Sequence, residues 1–494
     1  MRSRAIAATL LIAAAAAAQE QKPPETSGVS GQNLPNASGG NGQAFADPSQ
    51  LFGGTDGTFI GLAVNNIQGE GSYAATVINT QFSLGPVGLG LSLPLNLLIW
   101  NNDQCCLGAT TRESKTYAGV LRRRDWDEPQ DYTKFVRYIR YGNKRDPLYV
   151  LAGQLWGASV GHGTLVNRYS NSLSLDHPKA GLALDVNTDW GGVETLTDWV
   201  GNPTLMAGRA YVRPLGGTPI LRGWAIGFSA ATDRTAPVGV TAPLQSDAQG
   251  NPVNLNQRAI YAIGVDTEFE VLRNSFISLI PYADFNRIAG AGNGVHTGFL
   301  ADIRLPIPLL DVGVQAKLEY RMMQPGYIPE YFDQFYDLGR VQYAMQGTAG
   351  TTYVSKYDAA VAARNGANGD TSFSQRGYYG ELAFNVAGMI QIGGLYQDRQ
   401  GDPNGASMGL FATVPYFDVI KVSAYYLRKN MKSGFDDAFQ LDARSLLAAS
   451  LAYKVWGPVY FRADFRRQWV LLPGQTQITA VDSFTAGMAT FIPF

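Results

Sequence analysis

Cysteine and histidine are nearly missing from this chain, which holds two of the first and three of the second in 494 residues. Two cysteines leave no room for a Cys and His metal cluster. Charge is scarce as well: 16% of residues are charged, 39 Lys and Arg offset 40 Asp and Glu, and a net charge of −1 gives nucleic acid no basic surface. Past the N-terminus no stretch supplies the roughly 18 uninterrupted apolar residues of a membrane-spanning helix. There is no HExxH, no P-loop and no Rossmann glycine pattern, so no enzyme activity, cofactor or metal is expected. His177 and His296 have no partner at a recognisable spacing. His162, in GASVGHGTLVNRYSNS with Ser159, Asn167, Ser170 and Asn171 nearby, reads as a turn-forming loop histidine, with a Ser and His hydrolase set as the rival.

What is present is alternation. Arg2 and Arg4, the apolar Ala5 to Ala15 and the small Ala16-Ala17-Ala18 form a secretory signal peptide over 1–18, so the chain is expected to be exported. Residues 19–56, rich in Gly, Asn, Gln, Ser and Pro, read as a flexible leader. From residue 57 to 494, short runs alternate apolar and polar residues between turn signals, giving about 20 strands near 57–64, 73–84, 87–97, 132–141, 148–156, 180–187, 192–199, 204–213, 223–232, 257–271, 275–286, 295–304, 311–323, 376–386, 389–399, 407–414, 418–428, 445–455, 459–470 and 480–494. In the last, Phe484, Ala486, Met488, Thr490, Ile492 and Phe494 share one mostly apolar face. That ending resembles the C-terminal strand of Gram-negative outer-membrane β-barrels, whose last residue is commonly Phe. The resemblance implies an all-β, transmembrane, antiparallel up-and-down barrel of about 18–20 strands in the outer membrane. It also implies membrane lipid as surroundings and a barrel-assembly machinery that reads the strand ending in Phe494.

Connection lengths agree with that expectation. With the C-terminus in the periplasm, the connections near 85, 142, 188, 214, 272, 305, 387, 415 and 456 fall on the periplasmic side and are short. The long ones, 98–131, 157–179, 233–256, 324–375 and 429–444, fall outside. In DVGVQAKLEYRMM the face carrying Lys317, Glu319 and Arg321 must look into a wet lumen, since a Lys or Arg in hydrocarbon costs roughly 2–4 kcal/mol near the midplane. Arg462, Asp464 and Arg466 follow the same logic, as does Glu381, while Arg467 breaks the parity and is read as snorkelling at an interface. Trp100, Trp156, Trp199, Trp224, Trp456 and Trp469, near strand ends, are expected in interfacial belts.

The loop 324–375 is long enough to be functional. Its Tyr327, Tyr331, Phe332, Phe335 and Tyr336 either pack against other loops or line a constriction, and Lys356 to Arg364 is expected to form helical turns capped by Ser355. Cys105 and Cys106 are adjacent in the first long loop; a local vicinal disulfide is preferred over free thiols or a bridge to another chain. The expected function is a porin-like passage for small hydrophilic solutes, or for an exported polymer, through a polar lumen of mixed charge. The alternative is a structural barrel with a blocked lumen that anchors envelope-complex proteins.

Overall fold

The computed structural model describes residues 56–494 except 69, 102–120, 145, 173–177, 219–220, 222, 241–243, 248–250, 275, 308–309, 348–349, 387–389, 401, 403–404, 415–418, 432–434, 436, 442–443 and 472–475. The signal peptide, the leader up to residue 55, and Cys105 and Cys106 therefore lie outside the described residues.

Twenty strands form the wall. They are β1 Gly57–Ile67, β2 Gly71–Leu84, β3 Val87–Asn101, β4 Val136–Tyr141, β5 Leu148–Gly153, β6 Gly181–Thr188, β7 Gly191–Thr197, β8 Leu205–Val212, β9 Trp224–Val238 and β10 Asn256–Phe269. The second half comprises β11 Ile277–Ile288, β12 Asn293–Ile307, β13 Leu310–Met323, β14 Gln375–Val386, β15 Ile390–Gln400, β16 Ala406–Val414, β17 Ile420–Met431, β18 Ser445–Trp456, β19 Val459–Val470 and β20 Thr479–Pro493. Each pairs antiparallel with its neighbours in sequence, and β1 pairs with β20 from Gly57 opposite Pro493 to Ile67 opposite Ser483. The sheet is thus a closed up-and-down barrel without a free edge strand at its seam. Every strand expected from the alternation is present.

The alternation is inside out relative to a soluble core. Along the middle of β10, Tyr261, Ile263 and Val265 are exposed, while Asp266 and Glu268 are buried. Apolar side chains outward and charges inward are the arrangement that suits a wall between lipid and a polar interior. Trp100, Trp190 and Trp456 are exposed near strand ends, whereas Trp156 and Trp469 pack inside with Phe335, against the expectation of a belt position. Arg467 does not snorkel. Its guanidinium forks onto Asp482 of β20 at 2.7 and 2.8 Å, so the parity break is a cross-strand ion pair between directly opposed residues.

Phe494 N–H donates to Asp56 O, placing both chain ends of the barrel at one rim with the tight turns. The connections 102–135, 154–180, 239–255, 324–374, 432–444 and 471–478 all leave the opposite rim. The wall is uneven in height. β4 and β5 have 6 residues each and β6 to β8 have 8, 7 and 8, against 15 in β12 and β20. Where the wall is low, the loop beginning at Gln154 turns inward.

Candidate passage and its plug

Two long loops fold into the barrel and join. In the first, Ala158–Val160 and Val166–Tyr169 form a small hairpin; in the second, Phe332–Asp333 adds to it in parallel, with Phe332 opposite Val166. Glu330 and Phe332 N–H groups donate to Thr164 and Leu165 carbonyls. Around this three-stranded piece Tyr327, Tyr331, Phe332 and Tyr336 pack with Leu155, Leu165, Val166 and Tyr169 into one apolar cluster. These four aromatics are fully buried within that cluster. Phe335 differs: it packs with Phe411, Tyr425 and Leu427 of the wall and borders a small void of about 50 Å³. Of the two roles open to these rings, the four took packing, because the loop 154–180 offered a matching apolar face.

The helix Lys356–Gly366 supports the plug from above. Ser355 Oγ accepts from Asp358 N–H at 3.0 Å, a cap at the expected position. Lys356 lies buried near the Tyr331, Tyr336 and Tyr343 rings and donates to Tyr331 O at 2.7 Å. Burial pushes its ammonium down to about 8, and Asp333 at 3.2 Å only partly offsets that.

The plug is fastened to the wall by charge. Gly161 and Gly163, at φ +59° and +76°, make the tight turn that presents His162. The turn reading was right for the backbone. The side chain, however, is wholly buried rather than at a loop surface: Nε2 lies 2.7 Å from Glu268 and Nδ1 2.8 Å from Asp284, with the Tyr282 ring stacked at 4.2 Å. Burial alone would lower its pKa; the carboxylates of Asp284 and Glu268 outweigh that and hold it up to about 10, so the ring is a cation donating through both nitrogens. Thr164 Oγ1 donates to Asp284, Gly161 N–H to Glu194, and Arg209 spans Glu194 and Asp266. His162, Asp266 and Asp284 bring one nitrogen and two carboxylates within 4.8 Å of one another. Both imidazole nitrogens are engaged, and Arg209 neutralises Asp266, so this donor set is already balanced by cations.

The lumen residues read from β13 and β14 belong to the same fastening. Lys317 Nζ donates to His162 O at 2.8 Å and pairs with Glu319 at 2.9 Å. Glu319 also accepts from Tyr282 and faces His296. Arg321 bridges Glu319 of the wall and Glu330 of the plug, with Tyr379 under its guanidinium at 4.5 Å. Glu381 faces Arg168 at 3.8 Å. Sequence reasoning passed over His162, Glu268, Asp284 and Arg209 as a unit; the available signal was a Gly-His-Gly turn in a loop opposite strands whose inward positions are acidic.

Arg462, Asp464 and Arg466 lie elsewhere. They border a cavity of about 300 Å³ on the side of the lumen that the plug leaves unfilled, together with Asn65, Asn79, Arg122, Asp125, Lys134 and Arg137. Arg462 pairs with Asp464 at 2.7 Å. Above, Val240, Leu244, Val341, Leu471 and Ile478 from three different loops form an apolar cluster at the long-loop rim, tied by Leu244 N–H to Thr476 O.

No protein-family model and no curated protein matches the chain. Solved structures similar to it include Pseudomonas aeruginosa OccK11 (OpdR), at 10% identity and TM-score 0.30, covering 89% of this chain and 96% of that one. Pseudomonas aeruginosa OccK2 (OpdF) in complex with glucuronate matches at 9% identity, TM-score 0.31 and coverage of 89% and 98%. A BenF-like porin from Pseudomonas fluorescens Pf-5 matches at 8%, TM-score 0.31, with 89% and 98% covered. At such scores the architecture rests on the chain's own strand pairing.

Proposed function

We propose that the mature chain, exported by its signal peptide, sits in the outer membrane of a Gram-negative cell and passes small hydrophilic solutes along the unplugged side of its lumen. The observation that carries this reading is the cavity of about 300 Å³, its largely apolar lining studded with charged side chains, beside a plug that is fixed to the opposite wall. Its lining holds five cations, Arg122, Lys134, Arg137, Arg462 and Arg466, and two carboxylates, Asp125 and Asp464, while Glu70 and Asp131 pair with Arg122 and Lys134 from behind, a mixed set that favours weak ion selectivity. The apolar cluster over the long-loop rim favours a second reading, a barrel closed to solutes that anchors an envelope complex.

Planar-bilayer recording separates the two. Small stepwise conductance, increased by deletion of 327–345, is expected of the passage; silence in both forms would leave the anchor. Orientation has its own test. With Cys105 and Cys106 replaced by Ser, a membrane-impermeant maleimide on intact cells should label Phe439→Cys, on an exposed long-loop residue, and not Asn143→Cys, in a turn of the opposite rim. The reverse labelling pattern would invert the barrel in the membrane. Assembly through β20 predicts that removing Phe494 lowers the yield of folded barrel.

A further inference from the structure

The wall is not made of strands all the way round. β3 pairs with β4 only from Val87 to Leu91, and beyond that its edge meets a non-strand segment, Leu121–Phe135, through the single bridge of Leu97 to Leu121 among the described residues. This stretch of β3 lies in the apolar belt. Leu95 is registered with Thr76, Thr76 with Leu62 and Leu62 with Met488, and the last two are exposed apolar residues on the outer face. Pro94, mid-strand, suits an edge that lacks a full ladder.

The segment is built as a wall piece. Leu121, Pro129, Tyr132 and Phe135 are its exposed residues, while Arg122, Asp125, Asp131 and Lys134 are buried. Irregular backbone at membrane depth is tolerated where its polar groups are satisfied by protein or by a wet cavity. Here Arg122 N–H donates to Asn96 O at 2.7 Å, and Lys134 Nζ caps Asp125 O at 2.6 Å. Side chains hold it in place: Arg122 forks onto Glu70 at 2.8 Å twice, and Asn96 reaches Asp125 at 2.8 Å. Such a strap can swing without breaking a strand ladder. Directly behind it is the cavity, with apolar Val77, Pro94 and Trp156 beside the cations of Arg122, Lys134 and Arg137.

We propose that Leu121–Phe135 is a side gate between the lumen cavity and the lipid, admitting amphiphiles with one apolar chain and an anionic head. This rests on the cavity being the passage. The chain of such a molecule would lie along Val77, Pro94 and Trp156 and its head among the three cations, while the apolar loop cluster at the rim covers the route from the top.

Leu97 and Leu121 are a non-hydrogen-bonded antiparallel pair with both side chains outward, the geometry a disulfide can span. The test uses the barrel with Cys105→Ser, Cys106→Ser, Leu97→Cys and Leu121→Cys in liposomes. The probe is a pyrene-labelled dodecyl sulfonate, whose permanent charge prevents spontaneous crossing, collected by albumin inside the vesicles. Oxidation should cut transfer by about tenfold or more and reduction restore it, while the bilayer conductance step stays unchanged. Transfer insensitive to oxidation, or a conductance that falls along with it, overturns the gate. Glu70→Gln, which removes the charge onto which Arg122 forks and leaves the strap less firmly tied to the wall, should raise transfer; no rise would count against the gate even if the cysteine pair fails to fold. A barrel silent in every bilayer recording but with thiol-sensitive transfer would refute the aqueous passage and leave the gate standing.

Discussion

Replacing His162 by alanine is expected to detach the plug. The imidazolium lies between Glu268 and Asp284 with no exposure to solvent, so its loss leaves Asp284 buried without its cation and Glu268 with only Arg209, 3.8 Å away. Breaking a buried pair in this way costs about 3–5 kcal/mol, a shift of roughly two to three and a half orders of magnitude in the docking equilibrium. The wall itself keeps its ladders, so the barrel should still show heat-modifiable gel mobility. Its conductance steps should become larger and noisier, and trypsin should cut at Arg168, which is buried in the docked plug. Unchanged steps and an uncut Arg168 would show that the ion pairs are not what holds the loop.

The same latch has a pH signature. The folded-state pKa of His162, about 10, lies above the ordinary value of 6.5, so its contribution is complete below about 6.5 and is lost as pH rises through 10. The groups facing the ring are Asp284, Glu268, the stacked Tyr282 and, through Glu268, Arg209 at 3.8 Å. Wild-type protein should therefore show the enlarged steps of the alanine variant between about pH 9 and 11. The variant's own steps should not change over that interval, which separates His162 from lysines and tyrosines titrating nearby.

Arg321→Met is the second large effect. This side chain is 1% exposed and forks between Glu319 on the wall and Glu330 on the plug, over the Tyr379 ring, with Gln397 at 2.7 Å. Methionine fills much of the volume but leaves Glu330 buried without a cation and Glu319 with Lys317 as its remaining cation, a loss of about 3–5 kcal/mol, read as a fall in the temperature at which the folded gel band disappears. Lysine should rescue only part of it, because an ammonium cannot fork between two partners and stack on a ring. Arg304→Met, at an exposed position, should change stability by no more than about 0.5 kcal/mol. Equal effects at 304 and 321 would mean that the buried network has no special role.

The wall was legible in the sequence because its information is local. A period of two decides which side chains face lipid, and turn residues decide where each strand stops, so alternation in segments such as Asn256–Phe269 or Leu310–Met323 suffices to count and orient them. The sorting of long loops to one rim follows from strand parity alone. The inward face of Lys317, Glu319 and Arg321 needed only the cost of putting charge in hydrocarbon.

Tertiary structure alone decided what those inward charges meet. His162 and Asp284 are 122 residues apart, Asn167 and Tyr379 212, and no period in the sequence couples them. Whether Tyr331 and Phe332 line a bore or form a core depended on the apolar face of Leu165 and Val166 arriving from another loop. The same holds for Leu121–Phe135, whose exposed and buried residues follow no strand period because the backbone runs in 3-10 turns and is not extended. Strand alternation is a property of one segment and its two surroundings, whereas a plug, a cavity and a gap in the wall are properties of pairs of distant segments, and only folding brings such pairs together.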